Sequence, residues 1–396
     1  MQLKMTVKDN IIVVLSFDPW INRLHGASVM SLWCELNKYI NTVVYMVFEQ
    51  NNRIYSFPPC NNVRIIPIRG LPLVDFLFCL SKFLRVLMKE KPSVVICDPN
   101  AFLSTIIYKA LFKNNVVTVL LILSRPTLTK SLHGKLNKAL FKLSLILGHY
   151  FADKITAISP FERVNFALWG RIPYNKFIIL PSPVDPVFAS INCEKEDKNR
   201  LRRELGLERF ADKIILLYYG TINRERGIID LVNAFSKIKL KDIVLLIVGD
   251  GPDKRAIKNV KASENILVLP PLPYKDVPKL LCASDIGVLP FPNVDDWKFQ
   301  TPTKLVEMIT IGMPVIATSL PSIRLALRDY KCKEIINSID AETLENAIRR
   351  ILDSLSKNKK MRRETKMDYL VNCLALKLLE SIYRAISSRN RNRQNA

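Results

Sequence analysis

Short runs of Val, Ile and Leu that do not alternate with polar residues recur along the chain, and they narrow the available folds more than any other feature. In the first half they are IIVVLS from Ile11, VVYMVF from Val43, VRIIP from Val63, VVIC from Val94 and VVTVLLIL from Val116. A strand with one face in water alternates, whereas a strand covered on both faces reads as a continuous apolar run. Strands of the second kind belong to parallel sheets sandwiched by helices. The segments between the runs, VMSLWCELNKYI from Val29 and VDFLFCLSKFLRVLMKE from Val74, have helical periodicity, so the pattern is a βα series.

The series pauses at KFIILPSPVDPVF, where Pro181, Pro183 and Pro186 punctuate the chain. A charged stretch from Glu194 to Asp212 then reads as a surface helix. Beyond it the runs resume, from Lys213, Ile243, Asn265, Asp285 and Met313, with helical patterns such as IIDLVNAFSKI and KLVEMITIG between them. At 396 residues the chain is too long for one comfortable core. The expectation is therefore an α/β protein of two Rossmann-like, doubly wound domains, residues 1–190 and 191–375. Residues 376–396 would form a C-terminal helix that returns to the first domain, then a basic tail. Ligands of such sheets bind at the carboxyl ends of the strands, and two sheets facing each other would place the site in an interdomain cleft. The stretch YLVNCLALKLLESIYRAI reads as a packed helix and SSRNRNRQNA as a frayed end.

Lys and Arg number 59 against 36 Asp and Glu, a formal charge of +23. Such a field suits an anionic partner: nucleic acid, an anionic membrane leaflet or a phosphorylated small molecule. The eight cysteines include no C-x-x-C pair and no cluster at metal-ligand spacing, and most of them read as single buried thiols suited to a reducing compartment. The opening residues read as a first strand, not a signal peptide, because the apolar run soon meets Asp18 and Pro19. No run approaches the roughly 20 apolar residues of a membrane span, which points to a cytoplasmic protein.

Three constellations carry chemistry. In YYGTINRERGIIDLVNAF a buried strand leads through Gly220, Thr221, Arg224 and Arg226 into a helix. Such a turn offers backbone N–H groups and a positive helix end to an anion, although a solvated basic loop fits the same residues. In FQTPTKLVEMITIGMPVIATS, Thr301 reads as an N-cap and Pro302 as the first helical residue. Lys304 then lies in the first turn with Glu307 on the same face, a cation for phosphate beside a carboxylate for a ribose diol. An ordinary i,i+3 surface pair is the competing reading. The third, Gly249-Asp250-Gly251 after a strand, is more simply a turn.

In their order and spacing, these pieces resemble the C-terminal half of retaining family-4 glycosyltransferases of the GT-B fold, over about residues 213 to 325. The stretch ISPFERVNFALWGRIPYNKFIILPSPVDPVF is similar to the family's interdomain strand, its usual P-N-G-x-D becoming Pro181, Ser182, Pro183, Val184 and Asp185. The resemblance implies transfer of a sugar from a nucleotide donor to a lipid-linked, polysaccharide or glycoprotein precursor, with retention and without a metal or other cofactor. It puts Arg226 where the family has a diphosphate-gripping lysine, Glu307 on the ribose hydroxyls and Lys304 on phosphate or sugar. Gly220, Thr221, Arg224, Pro271, Leu305 and Val306 complete the implied donor site. The sequence departs from the pattern at Thr221, where an Arg is common, and at Phe299, where the first Glu of an E-x7-E pair would fall.

On the acceptor side the resemblance suggests Gly26 and His25 in the loop after the first strand. Where the family often carries a His after the strand at Val116 to Leu123, this chain departs from it with Ser124, Arg125 and Pro126, so Arg125 and His133 stand as acceptor candidates by position and not by the resemblance. The segment TLTKSLHGKLNKALFKLSLILGHYF sets Lys130, Lys135, Lys138 and Lys142 beside a stripe of Leu132, Leu136, Leu140, Phe141 and Leu145. That pattern suits a helix lying on the cytoplasmic face of an anionic membrane, and equally a core helix with solvated lysines. Two other functions remain in view. A sugar-nucleotide epimerase of the same fold would be expected to carry several acids and histidines across its cleft, whereas this chain has three histidines, all within its first 150 residues. A polyanion- or nucleic-acid-binding protein would show a recognisable module, and none is present, so no specific nucleic-acid partner is expected.

Overall fold

The computed structural model describes residues 11–16, 25–49, 63–68, 72–111, 116–123, 132–259, 265–357 and 369–394. They divide into two compact units, 1–183 with 370–396, and 184–369.

The first unit is built on β1 (Ile11–Ser16), β2 (Asn41–Glu49), β3 (Val63–Ile68), β4 (Val94–Cys97), β5 (Val117–Leu120), β6 (Lys154–Ala157) and β7 (Phe177–Ile179). They form one parallel sheet in the order β3-β2-β1-β4-β5-β6-β7. Its helices are α1 (His25–Leu36), α2 (Pro72–Glu90), α3 (Phe102–Leu111), α4 (Leu132–Phe151), α5 (Pro160–Gly170) and, from the end of the chain, the helix Val371–Gln394. Alternate residues of the central strands enter different cores. Ile12, Val14, Val44, Val94 and Ile96 pack with α1 and the C-terminal helix. Val13, Leu15, Val43, Val95 and Cys97 pack with α2 to α5. Both faces are apolar, which is the physical reason the strands read as unbroken runs.

The second unit repeats the plan with β8 (Ile214–Tyr219), β9 (Ile243–Val248), β10 (Ile266–Leu269), β11 (Ile286–Leu289), β12 (Val315–Thr318) and β13 (Lys333–Ile336). All pair in parallel in the order β10-β9-β8-β11-β12-β13. Its helices are α6 (Val187–Ser190), α7 (Lys198–Glu204), α8 (Ile228–Phe235), α9 (Lys254–Asn259), α10 (Val277–Ala283), α11 (Asp295–Lys298), α12 (Thr303–Thr310), α13 (Pro321–Ala326) and α14 (Ala341–Lys357); the C-terminal helix is α15. The strand order reverses between β8 and β11, so the crevice above their carboxyl ends is the place where doubly wound sheets bind ligands.

Several expectations are corrected. The charged stretch from Glu194 is not wholly a surface helix: Arg202 of α7 has a side chain only 3% exposed. Its guanidinium donates to the carbonyls of Phe210, Ala211, Lys213 and Ala283 at 2.6 to 3.0 Å and to Asp285 Oδ2 at 2.8 Å. The same carboxylate accepts from Ile215 N–H and from Lys198, tying the opening of the unit to the starts of β8 and β11. Cys193 and Cys282 are not single thiols; they form a disulfide with Cα atoms 4.9 Å apart, closing a span of 89 residues. The supposed frayed tail is helical, since α15 runs on to Gln394. In α4, Phe141 and Leu145 of the expected stripe face the core, while the side chains of Leu132 and Leu136 lie outside the described residues. No described helix is long and apolar enough to cross a membrane.

Arg202 offers a direct test of the clamp. Replacing it by Ala leaves the largely buried Asp285 without its buried cation, the more exposed Lys198 remaining at the other oxygen, and four carbonyls without a shared donor. The loss expected is about 3–5 kcal/mol of unfolding free energy, read by urea denaturation of the full chain. An unchanged midpoint would show that the clamp contributes nothing.

Candidate functional site

Strand β8 delivers the chain to Gly220, whose φ of 120° favours glycine. A side chain started there would run into the Lys304 ammonium, so the missing Cβ is the space that the lysine fills. Gly249 and Gly251 act in the same way at the next loop. Side chains on them would meet the carbonyls of Gly220 and Ile222, and their absence lets the loop after β9 lie flat against the loop after β8. Bonds from Gly220 N–H to Val248 O at 2.8 Å and from Ile222 N–H to Asp250 O at 2.9 Å join the two. The G-D-G turn is thus a support for the Gly220 loop, as the simpler reading had it.

The chain then makes a single turn over 224–226, with Asn223 Oδ1 accepting from Glu225 N–H at 2.9 Å. Gly227, at φ 73°, backs onto the carbonyl of Pro290 after β11 and leads into α8. The Arg224 guanidinium is exposed and held by Asp253 at 3.1 Å. Arg226 instead lies over the Trp297 ring, 5.0 Å from its centroid, a favourable cation–π distance. Trp297 is itself fixed by donating Nε1–H to Glu225 O at 2.7 Å and by packing on Phe291 at 4.7 Å.

Across the crevice, the expected N-cap at Thr301 is displaced. Pro302 keeps extended backbone, ψ 132°, and α12 starts at Thr303 with no side-chain cap. Leu305 and Val306 are buried in the core, and Leu305 N–H is taken by Pro302 O at 3.0 Å, so neither presents a side chain to a ligand. Gly312, at φ 79°, follows the helix, and Met313 N–H returns to Met308 O at 2.9 Å. Lys304 directs its ammonium at the rings of Tyr218 and Tyr219, 5.6 and 6.0 Å away. One turn on, the Glu307 carboxylate accepts from Tyr219 Oη at 2.5 Å and from Tyr274 Oη at 3.2 Å.

The structure therefore brings Gly220, Arg226, Lys304 and Glu307 to one corner at the β8/β11 crossing. Thr221 is exposed beside it, its carbonyl accepting from Tyr218 Oη at 2.7 Å. Pro271 is exposed in the loop that carries Tyr274. Phe299 directly follows α11. His25 and Gly26 open α1 and His133 stands in the first turn of α4; their side chains, and the whole of Arg125, lie outside the described residues. Tyr219, Tyr274 and Trp297 were not singled out from the sequence. Their one signal is aromatic side chains at strand ends and loops beside the basic motifs, which is too common a pattern to read alone.

Burial dominates the electrostatics. It presses the Lys304 ammonium well below the usual lysine value, with the Arg226 charge acting in the same direction and Glu307 opposing. The Arg226 guanidinium is lowered by burial too. The Glu307 carboxyl is pushed up to about 7 by burial, against the pull of Tyr219, Tyr274 and Lys304, while Asp185 adds to the rise. Burial likewise raises the Tyr218 phenol to about 12 and the Tyr219 phenol well above 10. Among the described residues no carboxylate lies within salt-bridge distance of Arg226 or Lys304. Two basic side chains are thus held in a desolvated corner with no carboxylate among the described residues close enough to pair with them, an arrangement that costs free energy until an anion offsets it.

Glu307 predicts a pH effect of uncommon sign. Its folded value of about 7 stands above the ordinary 4.5, so between them the folded chain holds a proton that the unfolded chain has released. Stability then falls as pH rises through this window and stays lowered above it. The Glu307→Gln variant is expected to be more stable than the parent at pH 8, by on the order of 3 kcal/mol, and to lose that advantage near pH 4.5. A variant equally or less stable at pH 8 would contradict the burial argument; denaturant titrations at both pH values decide it.

Residues 199–368 match the family model described as glycosyl transferases group 1. No curated protein matches the chain. Solved structures do. HepE of Anabaena, in complex with UDP and glucose, superposes with a TM-score of 0.70 at 12% identity over 94% of this chain and 99% of its own. Sucrose-phosphate synthase from Thermosynechococcus elongatus gives 0.70 at 16% identity, over 96% of this chain and 100% of its own. A putative UDP-N-acetylglucosamine 2-epimerase from Listeria monocytogenes gives 0.64 at 15%, over 95% and 97%. A synthase and a putative epimerase share the architecture, so the likeness settles the fold alone. The chain has the GT-B fold of two Rossmann-like units, and its second unit is where the match to the glycosyl transferases group 1 model falls.

Proposed function

We propose that the chain is a glycosyltransferase that takes a hexose from a nucleoside-diphosphate donor bound in the second unit and passes it, with retention, to a lipid-linked, polysaccharide or glycoprotein precursor. The observation that carries this reading is the pair of basic side chains, Arg226 and Lys304, with no described carboxylate in salt-bridge reach, at the β8/β11 crossing of the unit that matches the group 1 model. A diphosphate supplies the charge that the pair lacks. Glu307, one helical turn from Lys304, has two carboxylate oxygens for the two hydroxyls of a ribose. Structures of HepE with UDP and UDP-glucose support a donor of that class.

In this reading the reaction is driven by charge placed ahead of time. As the glycosidic bond to the donor opens, negative charge gathers on the leaving diphosphate. Arg226 and Lys304 face it from a desolvated corner, where a fixed charge acts more strongly than in water and need not reorganise. Trp297 holds the guanidinium plane and Gly220 leaves room for the ammonium. No metal or cofactor enters the proposal. The first unit would supply the acceptor side, with His25, Gly26, Arg125 and His133 as its expected contacts, and the protein would work in the cytoplasm.

Nucleotide titration tests the donor site. Each charge-assisted contact is worth about 1.5–3 kcal/mol. Arg226→Ala and Lys304→Ala are therefore each expected to weaken UDP binding by roughly 10- to 100-fold while leaving the urea midpoint within error or higher. Retained affinity in both would overturn the assignment. Incubation with a bound nucleotide sugar separates the two enzyme readings: release of the nucleoside diphosphate with acceptor glycosylation supports transfer, and interconversion to an epimer with no release supports the epimerase.

A further inference from the structure

Exposed large apolar side chains are distributed very unevenly. Among the described residues nearly all lie in the first unit, and Val294 alone represents the second. Within the first unit they gather on the side of the sheet covered by α2 to α5, the opposite side showing Leu376 of α15 and Tyr39 after α1. The densest part is the outer face of α4 and α5. On α4, Leu143, Ile146 and Tyr150 are 49%, 49% and 72% exposed, and their spacing of three and four residues puts them on one helical face. On α5, Leu168 is 71% and Trp169 49% exposed.

The two helices lie side by side. A Cβ on Gly170 would stand 3.0 Å from Leu145 O, Phe141 meets Phe166 edge-on at 5.6 Å, and His149 Nδ1 reaches Arg171 O at 2.6 Å. Their inward residues share one core, so their outward residues share one surface. This is not the stripe expected from the sequence, whose Phe141 and Leu145 are consumed by the core. The face is a second one, shared between two helices.

Charge identifies what covers it. The first unit carries 27 Lys and Arg against 10 Asp and Glu, the second 32 against 26. Between Asp98 and Asp153 there are seven Lys and Arg and not one acidic residue. Lys138 and Lys142, one helical turn apart, are exposed along the edge of the α4 face. A protein partner of ordinary composition does not call for so large an excess of basic over acidic residues. A sheet of negative headgroups over hydrocarbon does: aliphatic side chains enter the acyl boundary, Trp and Tyr sit at headgroup level, and lysines meet the phosphates.

We propose that the outer face of α4 and α5 docks this chain on an anionic lipid bilayer, with Leu143, Ile146, Leu168 and Trp169 entering the interface and Lys138 and Lys142 meeting the headgroups. The inference stands on the first unit alone and is independent of what the second unit binds. Co-sedimentation of the full chain with vesicles of phosphatidylcholine containing phosphatidylglycerol tests it. Binding is expected to weaken by at least roughly tenfold on pure phosphatidylcholine or at high salt. The Leu168→Glu/Trp169→Glu pair is expected to abolish it with an unchanged urea midpoint and unchanged UDP affinity. Lys138→Glu/Lys142→Glu should remove most of the preference for anionic vesicles. Brominated lipid should quench the fluorescence of the parent more than that of Trp169→Phe. The proposal is overturned if the folded parent does not bind anionic vesicles or if the Leu168/Trp169 pair binds them undiminished. It is equally overturned if the parent is a dimer that this pair dissociates, which would make a second copy the occupant.

Discussion

Lys304 can bring its ammonium to the end of β8 only because residue 220 has no side chain. That exclusion organises the site. With the lysine seated against Tyr218 and Tyr219, and Arg226 seated on Trp297, two basic groups are held where solvent is scarce and no carboxylate among the described residues comes within salt-bridge distance of them. Folding supports this unfavourable arrangement from outside: the flat contact of the β9 loop made possible by Gly249 and Gly251, the approach of Gly227 to Pro290, and the Arg202 clamp at the opposite ends of the strands. A site that is strained electrostatically when empty has binding energy to gain from an anion, and the gain is largest for a ligand whose charge increases during reaction.

Much of the architecture was legible because burial on both faces leaves a direct imprint on composition. The runs at Ile11, Val43, Val94, Ile243 and Met313 are strands for that reason. Two strands escaped. KITA and KEII each open on a lysine and span four residues, and their membership in the sheets rests on neighbours supplied by the fold. Helical periodicity located α4 but could not say which apolar face turned inward, since the helix has two. Buried Arg202 read as surface charge because the carbonyls that satisfy it come from the loop around Phe210 and from Ala283, far apart in sequence. The Cys193–Cys282 bond joins positions 89 apart with no local spacing to announce it.

At the site, the basic and acidic members could be named from the sequence because a strand, a glycine and a helix start give a fixed frame. Thr301 and Pro302 were one residue out of register as a cap, which moved the free amides but left Lys304 in the first turn. The aromatic members could not be named. Tyr274 reaches Glu307 from the loop after β10, and Trp297 reaches Arg226 from the segment after β11. Such contacts exist only once the parallel order brings those loops over one crevice.

The central claim is that a diphosphate completes the charge of this corner, and a crystal structure of the full chain with bound UDP tests it most directly. The account predicts diphosphate oxygens within hydrogen-bond reach of the Arg226 guanidinium and the Lys304 ammonium, with the ribose hydroxyls on Glu307. A nucleotide bound elsewhere while these three side chains keep their present partners would contradict it.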